Sequence, residues 1–520
     1  MCGAATLLGS LVWIVPHLRD VRQIAEPGDP IFSAWRIARL AHQLVTDPRH
    51  LFDGNIFYPL PLTLTYSDST LLQGTLALPF LLSGVDPLIV ANVLTLIAFP
   101  AGGVAFFFAA WRLTADPRAA LVAGLIGAWY PFHAEHYSHL ELEWSMFIPL
   151  AIVAGLRLLA EPRPRTGLLF GAAVTAQWLA SMYLGVMLVS FLVPFMAIVA
   201  VAWRIPSSRR LAVGFAAAAA IIAPAFAGVG LPYMTSRDAR GERGVQEVSS
   251  YSARPSDYGD AHIRLRTYRW QRHEQHRNER ELFPGTSTLV LAAIGLMPPL
   301  TGATIATTVA GTLAFDWSLG FNGLTYDDLF KRSSIYRGMR VPARFSAVVG
   351  AALALLAGFG VRRILAVVQT PVAGAAVCSA LVVVVLFDLR MDPRLHPYRR
   401  TIPSIYGRVT PDMVLVELPA EPQIAYMYFS TFHWANLLGG YSGYPGYSPL
   451  LIEGWRAFPS GTSIELFRRA GATHLTYNCA LESRRGRCGP TTDELDANPA
   501  LEMLARERWE GADVRLYRIK

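Results

Sequence analysis

Charge is scarce in this sequence. Of its 520 residues only 16% are charged while 52% are hydrophobic, and the mean hydropathy is positive at +0.33. Soluble chains carry about a quarter charged residues, so the shortfall excludes the string of soluble domains that the length alone would permit. Lysine is nearly missing: Lys331 and Lys520 are the two present, and arginine supplies the rest of the basic charge. A net charge of +8 made this way reflects a uniform arginine bias and does not indicate nucleic acid. Cysteine is sparse as well, with four residues and no metal-type spacing. The longest absences are of any charge at all: 88–110, 166–203, 211–236, 285–315 and 364–387 contain no Asp, Glu, Lys or Arg. A helix of about 20 apolar residues crosses a bilayer's hydrocarbon core. The chain reads as a polytopic α-helical membrane protein.

The pattern predicts about eleven transmembrane helices, near 2–18, 88–110, 117–132, 144–160, 166–182, 184–203, 210–231, 285–299, 300–318, 343–361 and 364–389. Their order across the membrane follows from arginine, because positive loops stay on the cytoplasmic side. Arg112 and Arg118 flank one break, Arg157, Arg163 and Arg165 another, Arg204, Arg209 and Arg210 a third, and Arg362 and Arg363 a fourth. The breaks at 133–143 and 181–184 hold no Lys or Arg and belong outside. The N-terminus is then inside, with external loops at 19–87, 133–143 and 232–284. The last of these is Arg-rich, with Arg237, Arg240, Arg243, Arg254, Arg264, Arg266, Arg269, Arg272, Arg277 and Arg280, and only its length and interspersed acids let it sit there. The first segment lacks a basic n-region and a small-residue cleavage site, so it reads as a retained span. Residues 70–83 are apolar but too short to cross, and fit a juxtamembrane or re-entrant helix.

After residue 390 the composition changes. Pro393, Pro397, Pro403 and Pro411 punctuate a linker, followed by strand-like VLVEL (414–418) and THLTY (473–477), helix-like IELFRRAG (464–471) and a final DVRLYRIK (513–520). The expected organisation is a transmembrane domain at 1–390 and a small extracytoplasmic α/β domain at 391–520. Cys479 and Cys488 bracket a polar stretch within it, and pair as a disulfide if the compartment is oxidising.

Ionisable residues concentrate in the external segments. Asp29 precedes Pro30 at the start of an amphipathic run, an arrangement that suits an N-cap as well as a catalytic carboxylate. The run places Arg36, Arg39 and Gln43 on one face and Ile31, Trp35, Ala38 and Leu44 toward another, as an interfacial helix would. Between 133 and 143 lie His133, Glu135, His136, His139, Glu141 and Glu143. Three readings stand for this segment: hydrogen-bond donors and bases for a polar substrate, a solvated turn, or a divalent-cation site (Mg or Mn) without a recognised spacing. Tyr66 and Asp68 add polar groups late in the first loop. Arg337, Arg340 and Arg344 sit just outside a span, and the planar guanidinium suits either a lipid phosphate or an anchor among headgroups.

The stretches GDPIFSAW (28–35), DPRHLFDGNIFYP (47–59), ELFPG (281–285) and RVPARF (340–345), spread over the membrane part, carry a resemblance. The chain resembles the GT-C superfamily of membrane glycosyltransferases, in particular the protein O-mannosyltransferase and aminoarabinose-transferase group and its bacterial relatives. The resemblance implies transfer of a sugar, with inversion, from a polyprenyl phosphate or diphosphate to an extracytoplasmic acceptor at a bacterial plasma membrane, for the cell envelope. It implies Asp29 as the base, with Glu135, Glu141 or Glu143 as helpers. The superfamily's paired acidic motif in the second external loop is not cleanly present, which leaves the second carboxylate and the metal open. The competing class is a transporter or a scaffold whose external domain binds an envelope partner. Transporters place ionisable groups at mid-membrane and show internal repeats, whereas these spans are nearly free of acids and bases.

Overall fold

The structure is a computed structural model, and it describes residues 1–271, 279–398, 401–482 and 488–520. Arg272 and Arg277 of the Arg-rich loop, and most of the polar stretch between Cys479 and Cys488, lie outside the described residues. The chain divides into two compact units, Met1–Ala25 with Asn92–His396 and Glu26–Ala91 with Pro397–Lys520. Composition draws one boundary near residue 390; the contacts break at 396–397 and also assign 26–91 to the same unit as the C-terminal part.

The first unit is helical. Its apolar stretches form the helices Pro117–Trp129, Phe147–Ala160, Pro164–Ala180, Met182–Ala202, Arg209–Arg240, Thr286–Gly295, Gly302–Ser318, Ser346–Ala366 and Pro371–Asp388. Their starts are written locally. Pro117, Pro164 and Pro371 occupy first turns, where a missing N–H costs nothing. The side chains of Ser181, Ser208, Thr301 and Thr370 accept from backbone N–H groups at N-caps. Helices approach closely where side chains are smallest. Gly295 and Gly360 bring Thr286–Gly295 against Ser346–Ala366, and a Cβ on either would collide with the other helix's backbone. Among the described residues, six helices are long and apolar enough to cross a membrane: Pro87–Thr114, Leu140–Ala160, Met182–Ala202, Arg209–Arg240, Pro342–Ala366 and Pro371–Asp388. The expected first span is not one helix. Cys2–Gly9 and Val15–Arg19 are separated by a turn, because Pro16 lacks an N–H and its ring excludes a helical carbonyl four residues before it.

The second unit joins a mixed sheet to the early loop. In chain order its strands are β1 (Val414–Leu418), β2 (Asn436–Leu437), β3 (His474–Asn478), β4 (Leu501–Trp509) and β5 (Ala512–Ile519), arranged β2-β1-β3-β5-β4. β1 runs parallel to β2 and β3, with Val416 opposite Leu475; β5 is antiparallel to β3 and β4. Val416, Leu475, Tyr477, Ile464, Phe467 and Tyr517 make its core. Cys479 and Cys488 are bonded, with Cα atoms 5.7 Å apart. Residues 55–58 lie along the β2 edge: Leu437 N–H donates to Asn55 O at 2.8 Å, Tyr58 N–H to Leu437 O at 3.0 Å and Phe57 N–H to Gly439 O at 3.0 Å.

The helix Asp29–Thr46 is not amphipathic in the expected sense. It is buried on nearly every side, and its polar residues turn inward to partners. Arg36 donates to Ser33 Oγ and to Asp68 O, each at 3.1 Å, and Gln43 Nε2 to His50 O at 2.8 Å. The reason is satisfaction: these donors replace water with fixed acceptors of the same unit.

Candidate functional site

The sequence-predicted residues fall into two sets. His133, Glu135, His136, His139, Glu141, Glu143, Arg337, Arg340 and Arg344 belong to the first unit; Asp29, Tyr66 and Asp68 belong to the second.

In the first unit the chain between Trp129 and Phe147 forms two short helical turns, Phe132–Glu135 and Leu140–Glu143. These turns bury His133, His136, Glu141 and Glu143, which discards the solvated-turn reading of the segment. His133 Nδ1 lies 2.7 Å from Glu143 Oε2. His136 has an acceptor at each ring nitrogen, Phe132 O at 2.9 Å and Glu279 Oε2 at 2.7 Å, an arrangement fully satisfied by the imidazolium. The edge of His139 faces His136, with ring centroids 5.7 Å apart.

Glu279 is the centre of this network. Arg344 Nε donates to it at 3.0 Å and Arg344 Nη2 closes the fork. Its own N–H donates to Glu135 Oε1 at 2.8 Å. Burial pushes the Glu279 carboxyl up, but Arg344 and His136 outweigh burial and hold it well below the usual carboxylate range. Glu279 has φ +67°, a left-handed conformation that an ordinary side chain adopts at a cost of order 1–3 kcal/mol. Breaking one side of a buried pair like this one costs about 3–5 kcal/mol, which is enough to hold the strained residue in place.

Beside it, Glu135, His262 and Glu281 bring one ligand atom each to within 4.8 Å of one another. That spacing would admit a divalent cation. His262 Nδ1 accepts from the Arg264 backbone N–H at 3.2 Å, and its Nε2 lies 3.3 Å from Glu135 Oε2 and 3.8 Å from Glu281 Oε2.

The other two arginines are engaged elsewhere. Arg340 pairs with Glu247 at 3.0 Å and donates to Tyr251 OH at 2.8 Å, and Arg337 pairs with Glu242 at 2.8 Å. Sequence reasoning missed Glu279 and His262, and noticed Glu281 only within a motif. The signal available was spacing: Glu279 and Glu281 flank Arg280. Arg280 itself reaches Asp257 at 2.8 Å.

In the second unit, Asp29 is not the cap of its helix. Gly28 holds that position, its carbonyl accepting from Ile31 and Phe32 N–H groups, and Asp29 stands in the first turn. The half-buried Asp29 carboxylate receives Tyr441 OH at 3.4 Å. Tyr441 in turn sets its ring edge-on to Phe32, with centroids 5.4 Å apart, and Arg36 lies over Phe32 at 4.7 Å. Tyr66 stacks on Phe57 and meets Tyr444 edge-on. Asp68 is buried and accepts from Ser69 N–H at 2.8 Å. The Gly- and Tyr-rich run after β2 therefore packs onto the helix that carries Asp29. Asp53 is a turn residue, its Oδ1 accepting Leu62 N–H at 2.7 Å.

Solved structures share this fold over the whole chain. An arabinofuranosyltransferase, AftD from mycobacteria, superposes with a TM-score of 0.60 at 13% identity, covering 100% of this chain and 39% of that one. ArnT from Cupriavidus metallidurans bound to undecaprenyl phosphate gives a TM-score of 0.54 at 14% identity, covering 99% of this chain and 96% of that one. Its apo state matches equally. The chain shares its fold with these two membrane transferases. It spans about two fifths of the AftD chain and nearly the full length of ArnT. No family model matches the sequence, and no curated protein matches it. The GT-C likeness is one of backbone, and the side chains above must carry any argument about chemistry.

Proposed function

We propose that this chain is an inverting glycosyltransferase. It moves a sugar from a polyprenyl phosphate or diphosphate to an extracytoplasmic acceptor at a bacterial plasma membrane, with Asp29 as the base. The GT-C fold supports the reaction class. The observation that carries the assignment is that Gly28, and not Asp29, holds the capping position, while Tyr441 OH donates to the Asp29 carboxylate. In this reading the acceptor hydroxyl attacks the anomeric carbon as the bond to the carrier phosphate breaks, and Asp29 takes the hydroxyl proton. A carboxylate is a weak base toward a resting hydroxyl and a useful one as that hydroxyl acidifies in an oxocarbenium-like transition state. The bonding pair leaves on phosphate oxygen, where an arginine stabilises the charge that develops. Of the three expected arginines, Arg344 is the most enclosed and the best suited.

The test is transfer by the purified protein from a panel of radiolabelled polyprenyl-phosphate sugars. Asp29→Asn should fold, because the cap is Gly28, and lose transfer by about 10²–10⁴-fold in kcat. Transfer by the variant at the parent rate would return Asp29 to a structural role. Absence of transfer from every donor by the parent protein would favour a transporter or scaffold.

A further inference from the structure

Each arginine expected at a lipid phosphate already carries a carboxylate, and all three carboxylates come from the 232–284 loop: Glu242 on Arg337, Glu247 on Arg340 and Glu279 on Arg344. The first two pairs are partly exposed, and solvent weakens them. The third differs. The side chains of Arg344 and Glu279 are only 12% and 11% exposed, and His136 adds a second donor at 2.7 Å. Two guanidinium nitrogens and one imidazole nitrogen converge on a single anion. A fork of this kind matches phosphate oxygens as well as carboxylate oxygens. The anion present belongs to a residue held at φ +67°, an unfavourable conformation for glutamate.

We propose that the His136–Arg344 cradle is the subsite for the phosphate of the lipid-linked donor, and that Glu279 is its resident counter-ion, displaced when that phosphate enters. The proposal rests on the donor reading given above. Its logic is one of charge. A buried guanidinium beside a buried imidazole cannot be left without an anion. Glu279 supplies that anion in the empty protein, and a lipid phosphate replaces it one for one with more oxygens and at least equal charge. Glu279 therefore competes with the donor. Neutralising it strengthens donor binding, the opposite of what happens if Glu279 merely props Arg344 in place.

The experiment measures binding of undecaprenyl phosphate, and of undecaprenol as the uncharged control, to the purified full chain in detergent. It compares the parent protein, Glu279→Gln and Arg344→Gln. Glu279→Gln should bind the phosphate about tenfold tighter and the alcohol unchanged, while Arg344→Gln loses the phosphate preference. Should Glu279→Gln fail to fold, Glu279→Asp, whose shorter side chain retracts the charge, carries the same expectation of tighter binding. Unchanged or weaker phosphate binding in the Glu279 variants overturns the proposal, as does a gain shared equally by undecaprenol. If the parent and all variants fail to distinguish phosphate from alcohol, the donor reading falls and the subsite with it. That signature is distinct from a parent that binds phosphate without competition from Glu279.

Discussion

Asp29 stands one residue inside its helix because Gly28 takes the capping position, and Tyr441 OH donates to its carboxylate. Tyr441→Phe removes one hydroxyl from an exposed ring and should cut transfer by an amount equivalent to about 0.5–1.5 kcal/mol, with the unfolding midpoint unchanged; parallel kinetics and thermal denaturation check both. The sequence made the 133–143 cluster conspicuous by its density of His and Glu, and the structure shows why its partners stayed hidden. Glu279 lies 143 residues from His136 and 65 from Arg344, and no local periodicity reports a pairing at such distance.

At the scale of elements, the strand β1 carries an anomaly for a buried strand. Glu417 is almost fully enclosed, receiving Tyr406 OH at 2.9 Å and the Thr476 hydroxyl. Burial, opposed by the Tyr406 hydrogen bond, pushes its carboxyl from 4.5 up to about 8. The folded protein thus keeps a proton that the unfolded chain loses near pH 4.5, and stability falls as pH rises through that window to about 8. His433, lowered by burial from 6.5 to about 4, and His42, lowered to about 4 by burial and then by Arg39, act in the other sense. The folded rings stay neutral, so stability rises from about pH 4 to 6.5. Of these three groups, only Glu417 contributes a slope above pH 6.5. Protection factors for the 414–418 amides, corrected for intrinsic exchange, should fall between pH 6.5 and 8, and Glu417→Gln should flatten the fall. The strands themselves were legible as alternating or β-branched runs bounded by turn residues. β2 and β4 were not: β2 is two residues long, and in β4 LEMLARERW alternates polar residues too densely to suggest a buried neighbour, leaving it half exposed.

For the molecule as a whole, the reading depends on which side of a bilayer each segment occupies. Long charge-free runs were legible because bilayer thickness fixes a helix length that no soluble element requires; the broken first segment was not, since hydropathy is blind to where Pro16 interrupts hydrogen bonding. By the positive-inside rule the arginine-bearing breaks lead one to expect residue 205 inside and both residue 40 and the C-terminus outside. Alkaline phosphatase fused after residue 40 or residue 520 should be active, and fused after residue 205 inactive; activity in the reverse pattern would separate Asp29 from any external acceptor. The backbone of 55–58 hydrogen-bonds to residues 437 and 439, and Asn55 Nδ2 reaches Ala435 O at 2.8 Å. A ribosome has therefore to deliver nearly four hundred further residues before this early segment meets the edge that completes it. Until then Ile56 and Phe57 wait bare to solvent, the moment at which a chaperone has most to offer and a protease most to gain.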